Sequence, residues 1–438
     1  MSTITSIRLG PKYAEKVGML NSLARQYPLA ERLARVPPDF LTGLADVSLG
    51  ELDAKVRLGR ALSVKEAFQG MMLVIAATNN VVRKTLFSDM LFEVAVAKGA
   101  YFLTFMAAKE LYVGLTPEEI AGIAAAGQVD VLFTPTVASV VETAGMGADR
   151  GWGTKDVKTI NASTLSALVM AAMGYTTFKH GSYGNTTRVG STDVLEQFGA
   201  RSAFVGGPRK IAQILRRTGF WFSDAHAVKT LHYMSHLLRV ETVNHIVGPM
   251  TAPISPDTQL HKVIGVNHYV HPEDMARAYV LLNSLGLVSL GSVVVVAGVD
   301  AIPMARELRD WDWFKNHAYL DEISPSATII SVATAGFPVE TRVLSGRRDF
   351  GVELVDSQIK VPNTIPTLMR ANAQALTGGP LAEYLATNVA LALLAVYPEN
   401  LDNLHEHVGD ALETIESGKA LETLEKYVRE TGGSFVQW

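Results

Sequence analysis

Hydrophobic positions recur at helical spacing from Val64 to about Gln128, as in Ala67, Met71, Met72 and Ile75, which predicts a helical region. Within it, Leu115-Thr116-Pro117-Glu118-Glu119-Ile120 marks a helix start, with Thr116 as N-cap, Pro117 at the first position and Glu119 closing a capping box. Residues 1–60 also read as mostly helical, interrupted at Pro37-Pro38. After Gln128 the period changes. Short β-branched runs at 129–133 and 137–141 precede a glycine-rich stretch and an apolar helix expected over 164–173. Further strands are expected at 263–266, 292–297 and 328–332, with helices at 226–239 and 274–285 and a C-terminal amphipathic pair over 404–428 broken at Gly418. This alternation predicts an α/β protein: a small, mostly helical domain and a large α/β domain with a central, largely parallel sheet. The expected boundaries are 1–60 for an N-terminal extension, 61–128 for the helical domain completed by helices near 221–245, and 129–220 with 246–438 for the α/β domain.

Composition narrows the function. The 438 residues are 48% hydrophobic and 19% charged, which excludes disordered and fibrous classes. Zero cysteines exclude disulfides, thiolate zinc sites, iron–sulfur clusters and cysteine nucleophiles. A net charge of -4 argues against a nucleic-acid partner, and the basic cluster Arg209, Lys210, Arg216 and Arg217 is local. The first 26 residues carry charges from Arg8 onward and lack a signal-peptide core. The apolar stretch 278–299 is broken by Asn283, Ser284 and Gly286, and 384–397 is too short to cross a bilayer. No membrane association is expected, and the cytoplasm is the expected address.

Four blocks could carry chemistry. In Glu142-Thr143-Ala144-Gly145-Met146-Gly147-Ala148-Asp149, glycines after a strand let backbone N–H groups converge on an anion, although the same pattern also makes an ordinary turn. Asn161-Ala162-Ser163-Thr164 stands before an apolar helix, where free N–H groups and the helix dipole suit a phosphate; a plain N-cap is the alternative. The block from Lys179-His180-Gly181-Ser182 through Thr186, Thr187, Arg188 and Ser191 packs cations, hydroxyls and glycines together as a phosphorylated sugar requires. Leu320-Asp321-Glu322-Ile323-Ser324 places adjacent carboxylates before a strand, a set of hard oxygen donors suited to Mg²⁺ bound jointly with phosphate, or simply an exposed acidic loop.

Taken in this order, the blocks resemble the anthranilate phosphoribosyltransferase family, whose signatures GTGGD, N-[IVF]-S-T, K-H-G-N with its following serine-rich stretch, G-P-L-T-N-P and L-D-E-I-S are met at 145–149, 161–164, 179–196, 248–253 and 320–324. The resemblance spans about three quarters of the chain. It implies an enzyme that transfers phosphoribose from 5-phosphoribosyl 1-pyrophosphate (PRPP) to a small aromatic or heterocyclic acceptor with Mg²⁺-assisted loss of pyrophosphate. It further implies a homodimer formed through the helical domain. On this resemblance Gly145, Gly147 and Asp149 line the pyrophosphate and ribose. Asn161, Ser163, Thr164, Thr186, Thr187 and Ser191 bind phosphate, Lys179 and His180 act at the reacting centre, and Ser163, Asp321 and Glu322 serve the metal.

Departures from the family pattern fall on the acceptor side. Ser182 replaces an asparagine, and His236 with Leu237 stands where a carboxylate-binding arginine is expected, so Ser182 and His236 are assigned to an acceptor differing from anthranilate. The loop between Asp149 and Asn161, with Arg150, Trp152 and Lys155, is longer than in the family. A stretch at 301–319 precedes Asp321, leaving Gly298-Val299-Asp300 as a competing match. His232 and His236, four apart, raise a transition-metal alternative that lacks a placed carboxylate. A nucleoside phosphorylase using inorganic phosphate, a nucleic-acid-binding relative and a non-catalytic regulator remain the alternatives.

Overall fold

The computed structural model describes the chain except residues 1, 2, 8, 133–135, 148–155, 185–186, 202–206 and 241, with the backbone alone for 207 and 208. The chain divides into two compact units: Met1–Thr134, Asp224–Pro256 and Arg277–Ser289 form one, and Pro135–Ser223, Asp257–Ala276 and Leu290–Trp438 the other.

The first unit is helical. Its centre is the helix Val64–Thr78, almost wholly buried, which packs on Phe92–Tyr112 and Pro117–Asp130. Thr116 and Glu119 form the expected capping box. Glu119 does more than cap: it also accepts the Leu62 N–H at 2.9 Å and pairs with buried Lys109 at 2.5 Å, tying the helix start to two other segments. Residues 1–60 are mostly helical as expected, with helices Ala14–Gln26, Leu29–Leu33, Pro38–Leu41 and Leu49–Arg57.

Two expectations fail around one carboxylate. The strand expected at 129–133 is absent from the described residues there, because the alanine-rich helix runs on through Val129 to Asp130. The single helix expected over 226–239 is two, Ala225–Val228 and His232–Leu238. Asp130 accounts for the break, since its side chain accepts the backbone N–H groups of Thr230 at 2.6 Å and Leu231 at 2.8 Å, together with the Thr230 hydroxyl. A buried carboxylate with these fixed donors competes directly with the helical ladder.

The second unit is built on one sheet. Its strands are β1 (Ser139–Gly145), β3 (Thr177–Gly181), β4 (Phe220–Asp224), β5 (Gln259–Gly265), β6 (Ser289–Val299), β7 (Ala318–Leu320), β8 (Ala327–Thr334) and β9 (Glu340–Leu344). Strands β2 (Val157–Lys158) and β10 (Val361–Pro362) pair separately and antiparallel. The sheet order is β4-β3-β1-β5-β6-β8-β9, with β7 alongside β6. Pairing is parallel around β1 and antiparallel from β6 outward. The strands expected at 263–266, 292–297 and 328–332 lie on β5, β6 and β8, whereas the one expected at 137–141 starts later and runs to Gly145. Helices Ala162–Ala172 and Pro380–Val396 pack together on the sheet, both nearly fully buried. The C-terminal pair is Leu404–Glu416 and Lys419–Glu430, separated at Gly418 as expected. Among the described residues no single helix is long and apolar enough to cross a membrane.

Candidate active site

From β1 the chain returns through β3 and β4 on one side and then enters β5 on the other, so the carboxyl ends of β1 and β5 form a switch point, the usual ligand position in such sheets. The two strands stay in parallel register from Ser139 opposite Gln259 to Gly145 opposite Gly265. Both end in glycine for a steric reason. A Cβ at Gly145 would lie 2.4 Å from Asp321 Oδ2, and one at Gly265 1.6 Å from the Asp321 carbonyl oxygen. Asp321 thus fills the space that two side chains would take. Gly147, with φ +63°, donates its N–H to Asp321 Oδ2 at 2.9 Å, while its carbonyl accepts from Asn267 Nδ2 at 3.0 Å.

The segment carrying Asp321 is fixed from behind. Ser324 Oγ donates to the Val299 carbonyl at 2.9 Å, and the Tyr384 hydroxyl donates to the Ile323 carbonyl at 3.0 Å. Burial and the nearby Glu322 raise the Tyr384 pKa well above normal, which keeps that hydroxyl protonated as a donor. Glu322 accepts a hydrogen bond from the Thr159 hydroxyl. Both carboxylates are half-buried, not a freely solvated loop pair.

Further down the same strands, Glu142 and Lys262 stand opposite each other, both fully buried, and form an ion pair. Glu142 Oε1 also takes Nδ1 of His180 at 2.5 Å. Burial alone would push the Glu142 pKa up, but Lys262 and His180 more than reverse this and hold it at about 2. Lys179, beside it on β3, is buried and donates from Nζ to the His180 carbonyl at 2.6 Å. Burial, reinforced by Lys262 and opposed by Glu142 and Asp321, brings its pKa down to about 8.

The helix Ala162–Ala172 begins at Asn161 without a side-chain cap. Instead the Asn161 N–H donates to Asn372 Oδ1 at 2.7 Å, and the Thr143 hydroxyl donates to the Ser163 carbonyl at 2.5 Å, anchoring the helix start to β1. Asn161 Oδ1 and Thr164 Oγ1 are buried without a hydrogen-bond partner among the described residues. A group left so costs about 1–3 kcal/mol, and a ligand that supplies the missing bond recovers it. That pattern favours a binding role for this segment over a plain N-cap.

Of the remaining expected residues, Thr187 Oγ1 donates to Asn363 Oδ1 at 3.3 Å, and Ser191 opens the short helix Ser191–Gln197. The Ser182 hydroxyl donates to the Tyr183 carbonyl at 3.1 Å. Asp149 and Thr186, with the loop residues Arg150, Trp152 and Lys155, lie outside the described residues. His236 belongs to the helical unit, where its Nε2 lies 2.8 Å from Nε2 of His226, and His226 Nδ1 lies 3.1 Å from Asp224 Oδ1. Lys16 faces the same Asp224 at 3.6 Å, and the Tyr13 ring packs against both histidines. No group of three or more His, Asp or Glu side chains suited to a metal ion, around His232 and His236 or elsewhere, occurs among the described residues. The same observation means that Asp321 and Glu322 could hold Mg²⁺ only with oxygens from a substrate and water, the usual manner for this hard cation.

The chain matches the model of the glycosyl transferase family a/b domain over residues 140–307. It is 31% identical over 328 residues to the anthranilate phosphoribosyltransferase of Leptothrix cholodnii, covering 72% of this chain and 83% of that protein. The chain belongs to the anthranilate phosphoribosyltransferase family. The enzyme of the same name from Herpetosiphon aurantiacus is 28% identical over 328 residues, covering 73% of this chain and 86% of that protein. Among solved structures, the anthranilate phosphoribosyltransferase of Thermus thermophilus superposes with a TM-score of 0.63 at 24% identity, covering 87% of this chain and 99% of that one. The Saccharomyces cerevisiae protein in complex with PRPP and Mg superposes with a TM-score of 0.63 at 20% identity, covering 85% and 94%.

Within this family fold, the structure brings Gly145, Gly147, Asp321 and Glu322 together and sets Lys179 and His180 on the adjoining strand. Sequence reasoning gave no role to Lys262, Thr159, Asn363 or Asn372, and quoted Glu142 only as the start of the glycine block. A signal for the first pair was present: Glu142 and Lys262 are lone opposite charges inside two β-branched runs, a pattern that buried neighbouring strands tolerate only when the charges meet.

Proposed function

We propose that this protein is a PRPP-dependent phosphoribosyltransferase that transfers the 5-phosphoribosyl group to a small aromatic or heterocyclic acceptor. The observation that carries the reading is the seating of the Asp321 carboxylate on the Gly145–Gly147 backbone at the carboxyl end of the parallel strands. In the reaction the acceptor nucleophile bonds to the anomeric carbon, the bond from that carbon to the pyrophosphate oxygen breaks, and its electron pair leaves with pyrophosphate. Positioning and electrostatics dominate such a step. Gly145 and Gly147 give the pyrophosphate and ribose close access to backbone, and Asp149 is assigned to the same ligand. Thr164 offers its buried hydroxyl as a donor to phosphate, with Ser163, Thr186, Thr187 and Ser191, and Asn161 would donate from its side-chain amide N–H groups while its buried oxygen accepts from a sugar hydroxyl. Lys179 supplies positive charge beside them. Asp321 and Glu322, with Ser163 near them in role, are the hard oxygen donors that would hold Mg²⁺; when bound, the ion neutralises the leaving pyrophosphate.

Ser182 and His236 are assigned to the acceptor, with His180. A homodimer through the helical unit is supported by exposed apolar side chains on and beside one helix, namely Leu91 at 66%, Tyr112 at 76% and Val113 at 59% exposure, which sedimentation would test. A cytoplasmic location agrees with a cysteine-free chain whose donor substrate is a phosphorylated metabolite. Calorimetric titration with PRPP, with and without Mg²⁺, tests the central reading. Metal-dependent binding followed by pyrophosphate release with anthranilate or another aromatic or heterocyclic acceptor is expected. Binding of inorganic phosphate and a nucleoside, with none of PRPP, would overturn it in favour of a phosphorylase.

A further inference from the structure

The turn from Gly145 to Gly147 is fastened by three hydrogen bonds. The Met146 N–H donates to the Gly265 carbonyl at 2.9 Å, the Gly147 N–H donates to Asp321 Oδ2 at 2.9 Å, and the Gly147 carbonyl accepts from Asn267 Nδ2 at 3.0 Å. The first follows from the register of β1 with β5, and the second from the carboxylate already described. The third comes from a residue outside every block that the family pattern matches, just beyond the end of β5. Asn267 is 1% exposed, and its backbone is itself anchored. The neighbouring Val266 N–H donates to the Val296 carbonyl on β6 at 2.8 Å, and the Val270 N–H donates to the Asn267 carbonyl at 3.2 Å. Asn267 Oδ1 in turn accepts the Tyr269 N–H at 3.0 Å. A carbonyl only accepts and a backbone N–H only donates, so the side chain at 267 must present a donor on one side and an acceptor on the other. A primary amide does this, whereas an ionised carboxylate or an aliphatic chain of the same shape does not.

Gly147 stands at φ +63°, and a residue without a Cβ has other backbone wells open to it at little cost. Asn267 closes them. We propose that Asn267 is a positioning residue for the donor end of the site: by holding the Gly147 carbonyl it keeps the Gly147 N–H on Asp321, and so fixes the carboxylate that would take Mg²⁺ together with pyrophosphate. This deepens the phosphoribosyltransferase reading and rests on it for the identity of the donor. Asn267 acts through Gly147 and not on the reacting atoms. With the amide gone, the Gly147 carbonyl turns toward another donor or water, and the N–H of the same residue turns off Oδ2 with it. The carboxylate then has to be ordered when the donor binds, and the cost of ordering it is taken from affinity.

The test reads the Gly147 amide directly in the metal-free, full-length protein. Methionine isotope-labelled at its carbonyl carbon and glycine labelled at its nitrogen give linked signals only from Met146-Gly147 and Met173-Gly174, which Met173→Leu tells apart. The wild type is expected to show a low-field Gly147 proton that exchanges slowly with solvent, as a carboxylate-bound N–H does. Asn267→Asp keeps the shape and the acceptor for Tyr269 but loses the donor to Gly147, while Asn267→Ala loses both without adding a charge. In each variant the Gly147 proton should move upfield and exchange about tenfold faster. In steady-state kinetics both should raise the Mg²⁺ concentration for half-activity and the PRPP KM together, each about tenfold, while the acceptor KM moves by less than about twofold. Agreement between the two variants separates lost positioning from repulsion of PRPP by the introduced carboxylate, and either remains informative where the other fails to fold. A Gly147 signal unchanged in the folded variants, or a KM for the acceptor that rises as much as that for PRPP, would overturn the proposal. A displaced Gly147 amide in the variants of a protein whose wild type binds no PRPP would leave the Asn267–Gly147–Asp321 linkage standing and sink the phosphoribosyltransferase reading instead.

Discussion

Asp321 and Gly147 are joined across the end of the sheet by a single hydrogen bond, the Gly147 N–H donating to Asp321 Oδ2 at 2.9 Å. The bond exists because Gly145, two residues earlier, has no Cβ; one there would stand 2.4 Å from that same oxygen. Gly145→Ala should therefore displace the Asp321 carboxylate with a stability loss of about 1–3 kcal/mol, typical of an overpacked site. Because the clash is with a side-chain end, the fold should survive while Mg²⁺-dependent PRPP binding weakens at least tenfold. Gly265→Ala meets backbone at 1.6 Å and should lower the melting temperature further. Melting curves and calorimetry on the two variants check both statements; a Gly145→Ala protein with unaltered PRPP affinity would contradict the first.

The two carboxylates should separate binding from folding. Asp321→Asn and Glu322→Gln together preserve shape and the hydrogen bonds from Gly147 and Thr159 while removing the charge that a divalent cation requires. Turnover with PRPP and Mg²⁺ should fall by a factor on the order of a thousand, with thermal stability near that of the wild type. Turnover in the double variant comparable to wild type would remove these residues from the metal site and reopen Asp300, which binds His317 at 2.7 Å and lies on the far side of the inserted stretch.

Lys179 gives opposite pH trends to binding and stability. Its pKa is brought from 10.5 to about 8 by burial and Lys262, against Glu142 and Asp321. Above about pH 8 the ammonium loses its charge in the folded protein, so PRPP affinity should fall as pH rises through that value. Between about pH 8 and the unfolded value the unfolded chain binds more protons than the folded one, so this group makes stability rise with pH. Lys179→Met should abolish the affinity trend, and titration calorimetry across pH 7 to 9 would reveal it.

The glycine block, the Asn161–Thr164 segment and the carboxylate pair were legible because each combines residue type with position relative to a strand or helix end. What escaped was set by long-range contact. Asp130 reads as the second residue of a β-branched run, and only its bonds to Thr230 and Leu231, a hundred positions on, show why it ends the helix Pro117–Asp130 and why the helix expected over 226–239 is broken at 229–231. Glu142 and Lys262 gain meaning only from the parallel register that places them opposite each other. The antiparallel pairing of β6 with β8 likewise depends on a hairpin-like return that periodicity cannot distinguish from a crossover.

The histidine pair of the helical unit should govern acid sensitivity. His236 has its pKa lowered to about 4, by burial first and then by His226 and Lys12, with Asp224 opposing. Between the unfolded value near 6.5 and about 4 the unfolded chain takes up a proton that folded His236 refuses, so stability is lost as pH falls through this window. His236→Gln should flatten the dependence of melting temperature on pH between 6.5 and 4. The same variant should raise the KM for the acceptor more than that for PRPP. An equal rise in both would detach His236 from acceptor recognition.

Thr164 offers the sharpest separation of function from stability. Its Oγ1 is fully buried at the start of the helix Ala162–Ala172 and has no partner among the described residues. A hydroxyl kept there for folding would be bonded, as the neighbouring Thr143 hydroxyl is to the Ser163 carbonyl at 2.5 Å. Thr164→Val keeps the volume and branching and removes the desolvated oxygen, so it should leave stability unchanged or raise it by about 1 kcal/mol. If the oxygen is retained to meet a phosphate, PRPP affinity should drop on the order of tenfold to a hundredfold, one hydrogen bond to a charged group being worth roughly 1.5–3 kcal/mol. Thr143→Val is the control, since it breaks an existing bond and should lose stability. A Thr164→Val protein that is less stable than wild type, with PRPP affinity intact, would show that this hydroxyl serves the fold and has no part in the site.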